Sequence, residues 1–329
     1  MSFDFEPSAF RFNFDEISYI GETLSRPECV LCNAAGDIFV SRWEGGGVTR
    51  IRPDGTEIDI VTNKDNVGTN GFAITPEGDF LLANLHVDGG GVWLLKKDGS
   101  SQPFLLEIDG RKLPPANFVG MDRTNRIWIS ISTWHEPRTK AFRPDVSDGF
   151  IILVTNDGAR IVAEGLGYTN EAIVDNNNSY IYVNETFGRR TSRFRIRKGN
   201  SLGPRETVTE YGYGTFPDGL AFDEKGGLWV TSVISNRLIY VAPDGHQTIV
   251  LEDNQPETLN NIEQAFMSGQ LGHEHINSMQ TKNLLNISSI AFGGSDRKTI
   301  YLGNLQDNRI YALQSPVAGI EPSHWHVAI

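Results

Sequence analysis

The chain has 329 residues, 39% of them hydrophobic and 10% aromatic, with 34 glycines and a formal net charge of −12. That acidic balance argues against a nucleic-acid partner, whose phosphates require Lys and Arg in excess. No segment approaches the roughly 20 apolar residues of a membrane-spanning helix, so no membrane partner is expected.

The N-terminus, MSFDFEPSAF, has neither a basic start nor an apolar run, and no secretory signal is expected there. The overlapping stretch FRFNFDEISYIG has two alternating runs. It is expected to supply a strand that closes the sheet array against the end of the chain and removes a free edge.

From there a short pattern recurs six times: PECVLCNAAGDIFVS, TNGFAITPEGDFLLAN, ANFVGMDRTNRIWIS, TNEAIVDNNNSYIYVN, PDGLAFDEKGGLWVT and SSIAFGGSDRKTIYLGN. An oxygen-bearing residue heads each copy: Glu28, Asn70, Asn117, Asn170, Asp218 and Ser288. The head precedes the closing apolar strand by nine residues in five copies and by eleven in the sixth, where the turn GGSDRK is longer. The strand starts lie 42, 47, 53, 48 and 72 residues apart. A period of roughly 40–50 residues is that of one four-stranded propeller blade. Turn signals such as PDG, KDG and NDG separate the strands.

The expected fold is therefore all-β: a single six-bladed β-propeller domain spanning 1–329, with one central divalent-metal site. A polar insertion at about 252–285 accounts for the longest interval, and Leu259, Ile262 and Phe266 give it helical spacing. It is expected to sit over one end of the propeller as a lid or an interface. Cys29 and Cys32 form a CxxC in a strand-like stretch, without the βαβ context of a redox motif. Two buried, reduced thiols are expected, which points to a reducing, cytoplasmic setting.

In a propeller the innermost strands run along the central channel, so residues at one register converge on the axis. The six heads are two carboxylates, three amides and one hydroxyl, all oxygen donors. Hard oxygen ligands suit Ca²⁺ best, with Mg²⁺ and Mn²⁺ less specifically, whereas Zn²⁺ normally recruits His or Cys. Two carboxylates at one depth of a narrow channel repel each other unless a cation lies between them.

With PECVLCNAAGDIFV, TNGFAITPEGDFLLAN, TNEAIVDNNNSYIYV and above all FPDGLAFDEKGGLWV, the chain resembles the regucalcin–gluconolactonase–luciferin-regenerating-enzyme family over nearly its full length. The resemblance implies one divalent ion held by Glu28, Asn170 and Asp218, with Asn117 beside it facing solvent or substrate. It also implies hydrolysis of lactones, with organophosphates as the substrates of a minority of related propellers. Sugar-lactone members carry an Arg and an acidic residue where this chain has Pro115 and His135. A less polar lactone or ester than an aldonolactone is accordingly expected.

The residue types suggest a reaction scheme: water attacks a metal-polarised carbonyl, Asp218 or Glu28 accepts its proton, and Asn117 or Asn170 faces the developing oxyanion. Asn70, Asn117, Trp134, His135 and Ser288 are expected to line the substrate pocket, with His135 as a further acid or base. The alternatives are another ester or organophosphate hydrolase on the same site, or a non-catalytic metal-binding scaffold. The pairs HEH at 273–275 and HWH at 324–326 lack a third ligand at a recognisable spacing and are read as solvated. No GxSxG elbow is present, which argues against a serine hydrolase.

Overall fold

The computed structural model describes residue 6 and residues 10–329. Most of the N-terminal stretch read as free of a secretory signal falls outside these residues. Six four-stranded antiparallel sheets follow one another as the blades of a propeller. Their inner strands are Val30–Cys32, Thr69–Ile74, Ala116–Met121, Thr169–Val174, Phe216–Phe222 and Ile287–Gly293. These strands are largely buried, and their sequences are accordingly apolar outside the heads. Outer strands such as Ser101–Leu105 face solvent and are polar.

An aspartate sets the turn after two of the inner strands. Asp223 accepts hydrogen bonds from the backbone N–H groups of Lys225 and Gly227, both at 2.8 Å. Its other oxygen accepts the indole N–H of Trp229 at 3.0 Å, and Asp122 does the same for Trp128 at 2.8 Å. One carboxylate thus shapes the turn and satisfies a fully buried tryptophan, which explains why an acidic residue precedes an apolar strand.

Ser18–Ile20 pairs antiparallel with the strand Ile310–Gln314, so the last blade is completed from the N-terminal side and the ring closes. The first half of the expected strand region differs: Phe14–Glu16 is a 3₁₀ turn, and Phe12 instead donates its N–H to the Val250 carbonyl at 2.8 Å. Cys29 and Cys32 are free and buried, and burial pushes both thiols well above their ordinary range. Among the described residues no helix is long and apolar enough to cross a membrane.

The C-terminal segment straps the lower face. Ile320 N–H donates to Phe222 O at 3.1 Å, Ser323 Oγ to Met121 O at 2.7 Å, and Ala34 N–H to Trp325 O at 2.8 Å. It thereby joins blades 5, 3 and 1. His324 within it is buried, which corrects the reading of HWH as solvated at this histidine, while His326 is exposed. Its Nε2 has no partner, and burial lowers its pKa to about 4 from 6.5.

A histidine with a depressed folded pKa is held neutral by the fold while the unfolded chain binds a proton, so stability falls as pH drops from 6.5 towards 4. The whole span corresponds to about 3 kcal/mol. His324→Gln is expected to flatten this acid limb in urea titrations at pH 4 to 7. An unchanged slope would mean that His324 is not the linked group.

Candidate functional site at the head of the channel

The same backbone irregularity recurs at the heads. In blade 2, Thr69 pairs with Asn84 and the next pair is Phe72 with Leu82, so the inner strand carries one extra residue. Equivalent slips fall at Asn117, Asn170, Asp218 and Ser288. A β-bulge of this kind re-aims side chains out of the plain alternation. It lets these five heads turn towards the axis while the rest of each strand keeps packing.

Glu28, Asn70, Asn117, Asn170, Asp218 and Ser288 are all buried and line one small cavity. A girdle of hydrogen bonds fixes their spacing. Asn70 Nδ2 donates to Asn117 O at 2.9 Å, Ser132 Oγ to Thr169 O at 2.9 Å, and Asn184 Nδ2 to Asp218 O at 2.9 Å. Thr231 Oγ1 donates to Ser288 O, and Ser288 Oγ donates to Glu28 O at 2.9 Å. Each bond joins one blade to the next at the depth of the heads, so the ring is held by its own backbone carbonyls. Asn70 and Ser288 spend their donor groups in this girdle.

The oxygens of the ring are less well satisfied. Asn117 Oδ1 is buried and accepts no hydrogen bond. Glu28 Oε2 is held 2.7 Å from Arg26 Nη2 in an ion pair. Burial holds the Asp218 carboxyl well above the usual carboxylate range, and the charges of Glu28 and Glu171 add to the effect; Arg26 and Asn170 oppose it. Asn170 Nδ2 donates to Thr186 Oγ1 at 3.0 Å, which fixes the orientation of its amide. An orphaned amide oxygen beside two buried carboxyls is a donor set suited to a hard divalent cation. Glu28, Asn170 and Asp218 line this cavity and carry oxygen donors of the kind such a cation takes, with Asn117 in the same lining.

Two residues of the site carry no mark in the repeat pattern. Glu171 follows Asn170 within the bulge and lines the same cavity. Its carboxylate accepts the Leu220 N–H at 3.0 Å, and burial pushes its pKa up to about 8. A lone glutamate inside the apolar run TNEAIV is the sequence signal that would have found it. Arg26 reaches over the ring, donating to Asn70 Oδ1 at 3.1 Å with its guanidinium 5.0 Å from the centre of Trp43.

Trp134 and His135 follow the strand that pairs with the blade 3 head strand. Trp134 stacks on Phe150 at 4.4 Å under the guanidinium of Arg111, and neither Trp134 nor His135 lines the cavity of the heads. His135 is exposed, with Nε2 3.9 Å from Asp148. His135→Gln is therefore expected to leave turnover within about twofold; a tenfold loss would show that its loop reaches the reacting atoms.

The insertion forms a wall over blades 4 and 5. Its helix Pro256–Met267 buries Leu259, Ile262 and Phe266, and Phe266 packs edge-on against Phe216 at 5.4 Å. Glu263 on the same helix pairs with Arg189 at 2.6 Å.

A six-bladed propeller with a ring of oxygen donors at the head of its channel defines the structural class. Residues 61–258 match the family described as SMP-30/Gluconolactonase/LRE-like region, and the chain belongs to that family. It is 23% identical over 268 residues to a 6-deoxy-6-sulfogluconolactonase from Pseudomonas putida, covering 80% of this chain and 77% of that protein. Its fold is similar to that of a gluconolactonase from Xanthomonas campestris, with a TM-score of 0.66 and 16% identity over 91% of this chain and 88% of that one. It is likewise similar to a calcium-binding regucalcin from Agrobacterium tumefaciens, with a TM-score of 0.65 and 15% identity over 98% of both chains.

Proposed function

We propose that this protein is a divalent-metal-dependent lactonase whose reaction centre is the ring of heads. The observation that carries this reading is the unpaired, buried Asn117 Oδ1 in one cavity with the carboxyls of Glu28 and Asp218. Membership of the family and the similarity to a sulfogluconolactonase supply the reaction class.

Glu28, Asn170 and Asp218 hold the cation, with Ca²⁺ favoured by the all-oxygen donor set. When bound, such a cation polarises a carbonyl oxygen and acidifies water. The chain's own residues do the rest. Asp218, with Glu171 close behind it, is the carboxylate placed to take the proton of the attacking water. Asn117 offers an amide at the same depth, positioned for the oxygen on which negative charge develops. The girdle holds both to the axis, so little reorganisation accompanies the reaction.

The reading is tested by proton release from a panel of γ- and δ-lactones, run beside an aryl ester and a phosphotriester. Ring opening that chelation abolishes is the expected result. Turnover of the phosphotriester alone would reassign the substrate, and tight metal binding with no turnover would make the propeller a scaffold.

A further inference from the structure

The channel contains a second cavity, of about 170 Å³, below the ring. Every blade contributes to it from its inner strand, two to four residues beyond the head: Cys32, Phe72, Met121, Ala172, Leu220 and Phe292. At roughly 3.3 Å per residue those positions lie about 7–13 Å further along the channel than the heads. Cys29, Phe118 and Glu171 line both cavities, so they are the floor of the ring and the roof of the space beneath it. The C-terminal strap completes the wall with Ile320, Pro322 and His324. Arg123, Asn176 and Ser323 also border the cavity and are exposed, which gives it an entrance from the lower face.

The strand residues of the lining are apolar or aromatic apart from Glu171. One oxygen of Glu171 accepts the Leu220 N–H at 3.0 Å, and the other takes no hydrogen bond among the described residues. The roof therefore offers one polar contact above apolar walls. An apolar protein cavity of about 150 Å³ takes up benzene, so this one has room for a single six-membered aromatic ring and a substituent. Phe72, Phe118 and Phe292 suit the faces and edges of such a ring, and the sulfurs of Met121 and Cys32 suit its rim. A hydroxyl donates to a carboxylate and accepts from a carboxylic acid, so it matches Glu171 in either state. A charged substituent would lose its hydration among these walls for one contact.

We propose that the channel below the ring is a second binding site, for a small uncharged aromatic molecule whose hydroxyl meets Glu171 and whose ring packs between the inner strands. Its occupant is a phenol, separated from the ring of heads by Cys29, Phe118 and Glu171 and entering from the opposite face. The site stands independently of the reaction assigned to the ring.

The test titrates the full chain, in chelator and again with Ca²⁺, with phenol and with benzene. Calorimetry is expected to give phenol about fivefold or more tighter than benzene, the worth of one buried hydrogen bond, with or without the cation. The chain has four methionines, so their methyl signals form a simple spectrum. Both compounds are expected to move the Met121 methyl and to leave those of Met267 and Met279 in place. Glu171→Leu is expected to bring the ratio to one or below while benzene still binds. An unmoved Met121 methyl, or phenol binding that requires Ca²⁺, overturns the site. Equal affinities in the wild-type protein, or a preference for phenol that survives Glu171→Leu, overturn the role of Glu171 and with it the phenol. If Glu171→Leu does not fold, the carboxyl carbon signal of Glu171 in the wild-type protein decides: a larger shift with phenol than with benzene sustains the contact, and equal shifts overturn it.

Discussion

Asp218→Asn is expected to lower lactone turnover by about a thousandfold or more while raising the stability of the chelator-treated protein. Both halves follow from one feature. Asp218 is buried, and its carboxyl is driven up first by burial and then by Glu28 and Glu171. Keeping a carboxylate there without a cation costs folding free energy, and an amide of the same shape removes that cost. The gain is expected at about 1–3 kcal/mol and to grow as pH rises, because a carboxyl whose folded pKa is raised costs stability once the unfolded chain's carboxyl ionises. The same substitution removes a ligand and a proton acceptor, so cation-induced stabilisation and turnover disappear together. Urea unfolding with and without Ca²⁺ reads the first effect and proton release the second. A variant that is inactive and also less stable in chelator would place Asp218 in the packing of the channel rather than in its chemistry.

Asn184→Ala is expected to be the most damaging single truncation away from the ring, at about 3–4 kcal/mol. Asn184 is fully buried and donates to Asp218 O at 2.9 Å and Gly219 O at 3.1 Å, while accepting from Thr191 Oγ1 at 2.6 Å. Truncation leaves two carbonyls and a hydroxyl short of partners in a place water reaches poorly. It also releases the bulge that aims Asp218. Cation affinity should therefore fall by about tenfold, as for other supports of metal ligands. Chemical denaturation and calorimetry measure the two losses separately. Full stability with weakened cation binding would show that the girdle orients the ring without holding the blades together.

The blade count was readable because each blade needs the same apolar inner strand and turn, and Glu28, Asn70, Asn117, Asn170, Asp218 and Ser288 recur at nearly fixed spacing. Their convergence follows from propeller geometry alone. What the sequence did not display is the bulge at the heads of blades 2 to 6, since a register slip involves the partner strand as much as the residue itself. Plain alternation sends the residue after a head away from the channel, so Glu171 passed as an ordinary strand residue. Arg26 was hidden for a different reason: spacing carries no information about a long side chain folding back over its neighbour's carboxylate. The histidines show the same limit. His135 lay at a suggestive offset but sits outside the ring, while His324, between polar neighbours in a tail with no repeat pattern, is buried because that tail bonds to three distant blades.

The most direct measurement is turnover of a responsive lactone by protein freed of metal with chelator and then titrated with Ca²⁺. The account predicts negligible ring opening at the start and a linear recovery that breaks at one equivalent per chain, with no recovery in Asp218→Asn. Full turnover in the stripped protein, at residual metal far below the enzyme concentration, would contradict it.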